Sequence, residues 1–238
     1  MLLQYCVVLL VLGGGMLLSV KAGKLTDAGA LAGGVIGLAV FMGAGLTGLA
    51  MLGTFFIAGS VATSWKINYK ISQGLAETNK GRRKASQALA NGGVAGLAGL
   101  LGWCFPAQSE LFQVLLAASF AAATSDTLSS ELGNVYGRRY YNILTLRSDE
   151  RGLNGVVSKE GTLWGLAGGC LIGMLYGLGF GWNGHVVCVV VAGTIGNLAD
   201  SVLGATLERR AYLNNDAVNF LNTLVAALAA LALYSLTL

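Results

Sequence analysis

All fifteen lysines and arginines of this chain fall in four segments, at residues 21–24, 66–84, 138–159 and 209–210, and long apolar runs fill the sequence between them. That alternation constrains the fold more than any other feature. A helix needs about 20 predominantly apolar residues to cross a bilayer. The chain is 55% hydrophobic and only 11% charged, with mean hydropathy +0.67, whereas a soluble domain is about a quarter charged. The class that fits is an all-α, polytopic integral membrane helical bundle, one domain over residues 1–238. The 36 glycines lie mostly inside the apolar runs, as in membrane helices whose backbones approach closely.

The runs are residues 1–20, 28–63, 85–105, 110–132, 159–180, 185–207 and 217–238. The first has no positive charge before it and is followed by Lys21 and Lys24, so it reads as a transmembrane anchor rather than a signal peptide. Residues 28–63 would reach about 54 Å as one helix, against a hydrocarbon core of about 30 Å. Gly43-Ala44-Gly45 offers a turn, which gives two short spans and eight in all. Seven spans, with 28–63 as a re-entrant element, is the alternative. In the eight-span scheme the basic segments follow spans one, three, five and seven. The positive-inside rule then puts them on the cytoplasmic side of the cell membrane and both termini outside.

Composition also excludes several functions. Cys6, Cys104, Cys170 and Cys188 lie in or beside apolar runs without a CxxC pair and read as packing residues. His185 stands alone, so a zinc site has no ligands. No basic patch is interleaved with aromatic residues, so nucleic acid is not a partner. The glycine runs read as helix packing, and no GxxxxGK[ST] sequence exists for an ordinary phosphate loop.

The chemistry gathers around residues 123–137. If that stretch is helical, Asp126, Ser129, Ser130, Gly133 and Gly137 share one face. Carboxylates within membrane segments are costly and usually functional. Gly193, Asn197, Asp200 and Gly204 form a similar face in span seven, with Ser201 beside it. Spans five and seven run in the same direction, so Asp126 and Asp200 lie at comparable depth; the shared Asp-Thr/Ser is a weak sign of an internal repeat. Arg83, Gln87 and Asn91 make a polar stripe entering span four, and Asn215, Asn219 and Asn222 one entering span eight. Asp27 precedes span two, beside Lys24. Helix N-termini pointing at one site favour anions, and the acids favour a hard cation such as Mg²⁺. The combination fits a phosphate or nucleoside triphosphate site. No histidine base is available, which favours phosphoryl transfer to a substrate already bearing a phosphate.

Five short pieces carry a resemblance: residues 23–30, 87–92, 125–133, 152–158 and 200–205. In that order they resemble the membrane proteins grouped with transmembrane protein nineteen and the plant chloroplast phytyl-phosphate kinase. A fainter likeness, to dolichol and phytol kinases that use CTP, rests on Asp126-x-x-Ser129-x-x-x-Gly133-x-x-x-Gly137. Ser125 stands where those kinases usually carry glycine. The resemblance implies a kinase that converts an isoprenyl monophosphate to its diphosphate with CTP or another nucleoside triphosphate. By matching position it gives site status to Asp126, Glu131, Asn154 and Asp200.

The resulting expectation is that Asp126 and Asp200 hold Mg²⁺ with Glu131 assisting. Lys24, Arg83 and Asn91 contact phosphates, and Asn154 with Lys159 closes over the nucleotide. Asp27, Gln87, Ser125, Thr127, Ser130, Gly133, Asn197, Ser201 and Asn219 complete the expected binding set. The partners are an isoprenyl phosphate lipid, the nucleotide and the surrounding membrane lipids. The alternatives are an ion-coupled transporter or lipid translocator, which the possible repeat favours, and a cytidylyltransferase-type lipid enzyme.

Overall fold

A computed structural model describes residues 2–76 and 81–236. Lys80 and the last two residues of the final apolar run lie outside them. Apart from loops and one small hairpin, the described chain is helical: α1 Leu2–Lys21, α2 Asp27–Ser64, a short α3 Ile67–Ser72, α4 Ala85–Cys104, α5 Ser109–Tyr136, β1 Tyr140–Asn142, β2 Val156–Ser158, α6 Lys159–Phe180, α7 Gly184–Leu203 and α8 Asn215–Ser235.

The long second run is a helical hairpin. Gly45 interrupts it with φ 58° and ψ −149°, a conformation open to glycine because it has no Cβ. Straight, the run would separate its ends by more than 50 Å. Instead Lys24 Nζ, just before α2, donates to Ser64 Oγ at its far end at 2.6 Å. Each half, 27–44 and 46–64, is about 27–29 Å long by helical rise. Thr26 caps the first half by accepting from Gly29 N at 3.0 Å.

α5 is the central helix. It packs against α2, α4, α6, α7 and α8, and every residue from Leu116 to Ser125 is buried. A helix buried all round must be small or apolar on every face, and Ala117, Ala118, Ala121, Ala122 and Ala123 meet that demand. Their size lets α7 approach so closely that a Cβ on Gly193 would lie 2.6 Å from the Ala121 methyl. Dispersion between such close backbones, rather than a hydrophobic drive, holds membrane helices together.

The loops sort to two ends. At one end, hydrogen bonds join the four basic segments: Arg83 N donates to Lys24 O at 2.9 Å, Trp65 Nε1 to the Tyr136 hydroxyl at 2.8 Å, Arg151 to the Tyr69 hydroxyl at 3.1 Å, and Arg209 to Asn154 O at 2.6 Å. At the other, Gln113 reaches Gly43 O, Thr47 packs on Gly179 and Glu110 lies 3.2 Å from His185. Exposed tryptophans mark both ends, Trp65 and Trp164 at the first, Trp103 and Trp182 at the second, as at the two faces of a bilayer.

Among the described residues six helices are long and apolar enough to cross a membrane: α1, α2, α5 with the turn before it, α6, α7 with the turn after it, and α8. α4 falls outside this set; Ser86, Gln87 and Asn91 dilute its first turns. The polar stretch 134–158 is more ordered than a plain loop. α5 continues through Tyr136, and β1 pairs antiparallel with β2. Gly137 has φ −60° and ψ 137°, so it leaves the helix and does not extend the face of Asp126.

Candidate functional site

α5 and α7 lie side by side and point their polar faces into one cavity of about 180 Å³. α5 contributes Asp126, Ser129, Ser130 and Gly133; α7 contributes Asn197, Asp200 and Ser201. α6 forms the back wall and can do so because it is glycine-rich there. A Cβ on Gly165 would meet the Asn197 amide at 2.6 Å and Ser129 Cβ at 3.0 Å. The start of α8 and the loop between β1 and β2 close the rim with Asn215 and Asn154.

The carboxyl groups of Asp126 and Asp200 face each other within hydrogen-bonding reach. Among the described residues neither forms an ion pair with a lysine, arginine or histidine. Asn222 Nδ2 lies 3.5 Å from Asp200 Oδ1, and the Asn222 Oδ1 beside it is buried without a partner. Ser129 Oγ donates to Asn197 Oδ1 at 3.2 Å, and Ser201 Oγ to Asn197 O at 3.3 Å. The cavity is thus lined by oxygen donors around two like charges, an arrangement stable only if a proton or a cation comes between them.

Glu208 also lines the cavity, near both aspartates. Sequence periodicity misses it. Eight residues past Asp200, an ideal α-helix would carry it about 80° off the face. Residues Gly204–Glu208 form a π-turn instead. The extra residue in that turn brings Glu208 back to within about 20° of Asp200. The π-turn is packed against the rim loop, where a Cβ on Gly204 would lie 2.9 Å from Gly155 N.

The rim is fastened by Arg209, which donates to Asn154 O at 2.6 Å and to Asp149 Oδ2 at 2.8 Å. The guanidinium holds the Asp149 carboxyl below the usual carboxylate range, helped by the Glu150 N–H and the Asn142 amide. The Tyr140 hydroxyl donates to Gly133 O and Gly137 O, both at 3.0 Å, and ties the β-hairpin to the end of α5.

Other residues expected at the site lie elsewhere. Glu131, about 140° round α5 from Asp126, pairs with Lys70 at 2.5 Å. Lys70 also donates to Ala62 O and Thr63 O, carbonyls in the last turn of α2. Thr127 faces α2: its methyl and the Arg83 guanidinium both border Gly59. Arg83 stacks 4.9 Å from the Phe55 ring. Gln87 accepts from Lys84 N in a capping box, and Asn91 donates back to Gln87 O. Ser125 is fully buried against Gly169, its hydroxyl without a partner. Lys24 is tied to Ser64, Asp27 is exposed in the first turn of α2, and Lys159 is exposed at the start of α6. Asn219 is half-buried on α8 and does not line the cavity. The structure therefore gathers Asp126, Asp200, Ser130, Gly133, Asn154, Asn197 and Ser201, and distributes the rest. Asn134, Tyr140, Thr162 and Thr194 join the lining without having stood out in the sequence.

The donor set suits Mg²⁺. It is all oxygen and includes no cysteine or histidine. Among the described residues, no three of His, Cys, Asp and Glu converge to cage an ion unaided. Mg²⁺ is usually held by one or two carboxylates, with water and substrate phosphates completing its octahedron. Asp126 and Asp200 would be the protein's two.

The chain is 34% identical over 214 residues to an uncharacterized membrane protein of Methanocaldococcus jannaschii, MJ0933, covering 90% of this chain and 87% of that one. It is 31% identical over 220 residues to the chloroplastic protein VTE6 of Arabidopsis thaliana, covering 87% of this chain but 64% of the plant protein. Protein PGR of the same plant is 30% identical over 214 residues, with 80% and 74% covered. No solved structure matches the chain. The model of the family described as "Integral membrane protein DUF92" matches residues 10–227, and the chain belongs to that family.

Proposed function

We propose that this protein is a prenyl-phosphate kinase of the membrane, converting a phytyl-like isoprenyl monophosphate to the diphosphate with a nucleoside triphosphate and Mg²⁺. The observation that carries the reading is the pair of facing carboxylates, Asp126 and Asp200, in a polar cavity without a basic partner among the described residues. The sequence likeness to the transmembrane protein nineteen and phytyl-phosphate kinase group supports it, and the match to a chloroplastic plant protein agrees.

In the reaction, an oxygen of the lipid phosphate attacks the terminal phosphorus of the nucleotide. The new O–P bond forms as the bond to the bridging oxygen breaks, and the nucleoside diphosphate leaves with the electron pair. A phosphate nucleophile needs little deprotonation, so positioning and charge neutralisation dominate. Mg²⁺, when bound, neutralises charge on the transferring phosphoryl group. Asp126 and Asp200 would hold it, with Glu208 beside them. Asn222 braces Asp200, and Ser129, Asn197 and Ser201, bonded to one another, offer hydrogen bonds to phosphate oxygens. Asn154 closes over the nucleotide on the rim loop that Arg209 fastens. Glu131 is structural, through Lys70.

The proposed topology has eight spans, counting α2 as two and including α4. The basic end faces the cytoplasm by the positive-inside rule, so the cavity opens toward soluble nucleotide while the lipid stays in the membrane.

The test is purified protein with phytyl phosphate, Mg²⁺ and each nucleoside triphosphate in turn, the products read by mass. The reading requires isoprenyl diphosphate and a nucleoside diphosphate. Pyrophosphate with a nucleotidyl lipid identifies a cytidylyltransferase. Flux across proteoliposomes without nucleotide consumption identifies a transporter.

A further inference from the structure

A second hollow, of about 480 Å³, lies between α1, the two halves of α2 and the start of α4. It is the chemical opposite of the acid cavity. Its walls are aliphatic and aromatic side chains and glycines, among them Leu12, Leu52 and Phe56, and among the described residues Arg83 is the one charged residue lining it. Its volume falls within the ~300–1,000 Å³ usual for small-ligand sites. Added Cβ atoms on Gly15, Gly33 and Gly53, which line it, would meet nothing within 4 Å. The glycines therefore leave notches in the walls rather than packing helix on helix.

Arg83 is held at its place by the backbone. Arg83 N donates to Lys24 O at 2.9 Å and Thr26 N to Arg83 O at 3.0 Å, a short ladder joining the α1–α2 loop to the segment before α4. Its guanidinium lies over Phe55 at 4.9 Å and beside Gly59, which Thr127 also borders. Thr127 follows Asp126 on α5. The charged end of the groove is thus next to the helix that carries the first aspartate.

We propose that this groove holds the isoprenyl monophosphate, its chain along α1 and α2 and its phosphate on Arg83. This rests on the kinase reading for the substrate class and adds where the lipid binds. A single apolar chain with an anionic end is complementary to a groove with apolar walls and one cation. Methyl branches have the glycine notches to fill. A guanidinium pairs with phosphate through two parallel N–H···O bonds. Among the described residues the groove takes none of its lining from α5, and its charged end borders Thr127, the residue after Asp126.

The test uses a phytyl monophosphate carrying a diazirine near the chain end, with the full-length protein in phosphatidylcholine nanodiscs. Photolabelled peptides are mapped by mass. The proposal predicts labels on α1 and α2. Gly53→Leu and Gly33→Leu enter open space, so their melting midpoints should match wild type, while labelling falls about tenfold or more, the equivalent of ~1.4 kcal/mol. Arg83→Gln lowers labelling by the phosphate to the level given by the uncharged alcohol. Labels on α6 to α8, equal labelling in both folded leucine variants, or equal competition by phosphatidic acid would overturn the assignment. Labelled groove without diphosphate formation removes the kinase reading and leaves the groove. Diphosphate formation with labels elsewhere does the reverse.

Discussion

Three acids of this membrane protein lie on two sides of one helix and meet opposite environments. Glu131 on α5 is answered by Lys70, whose ammonium also satisfies the last carbonyls of α2. Asp126, five residues earlier, is answered by another acid, Asp200 of α7. A charge placed for stability is neutralised by the fold itself. A charge pair left unanswered destabilises the fold unless something from outside binds to it. The difference separates the two roles better than depth in the membrane does, since all three acids lie toward the same end of the bundle.

Five substitutions can break or sharpen that contrast. The largest effect is expected at Lys70, almost fully buried. Lys70→Met strands Glu131 and removes the donor to two α2 carbonyls, a loss of about 3–5 kcal/mol typical of breaking a buried pair; a lowered melting midpoint in detergent checks it. Asp126→Asn and Asp200→Asn should behave in the opposite way. Diphosphate formation falls on the order of 100-fold, as when a charge-stabilising group is lost, while the melting midpoint holds or rises because a like-charge repulsion is gone.

A smaller effect is expected at Glu208. Glu208→Gln should weaken Mn²⁺ binding or turnover about tenfold, the scale of a residue that tunes ligands rather than replaces them, with stability unchanged. Paramagnetic resonance of Mn²⁺ titrated into the purified protein reads it without nucleotide. The smallest effect is at the rim. Because Arg209 depresses the Asp149 carboxyl, the bridge contributes stability above the unfolded carboxyl pKa of about 3.9 and loses it as pH falls through the folded value. Thermal scans of wild type and Asp149→Asn should differ slightly from neutral pH down to about pH 4 and converge below it.

Much of this was legible in the sequence for a physical reason: membrane helices write their spans and faces directly into residue order. The turn at Gly45 followed from a run too long for the bilayer, and the grouping of Asp126 with Ser130, and of Asp200 with Asn197, followed from helical spacing. What stayed hidden depends on departures from that spacing or on contacts between distant segments. Glu208 reaches the cavity only through the π-turn at Gly204–Glu208. The partner of Glu131 lies 61 residues away in a short helix that sequence alone read as a polar loop. Gln87 and Asn91 have the spacing of a site stripe, but their hydrogen bonds cap and brace α4.

The most direct test of the contrast is diphosphate formation measured side by side for wild type, Asp126→Asn and Glu131→Gln, each normalised to folded protein. The account predicts product from wild type, a loss on the order of 100-fold in Asp126→Asn, and a per-molecule rate in Glu131→Gln close to wild type despite a lower melting midpoint. Full activity in Asp126→Asn, or no diphosphate from wild type, would contradict it.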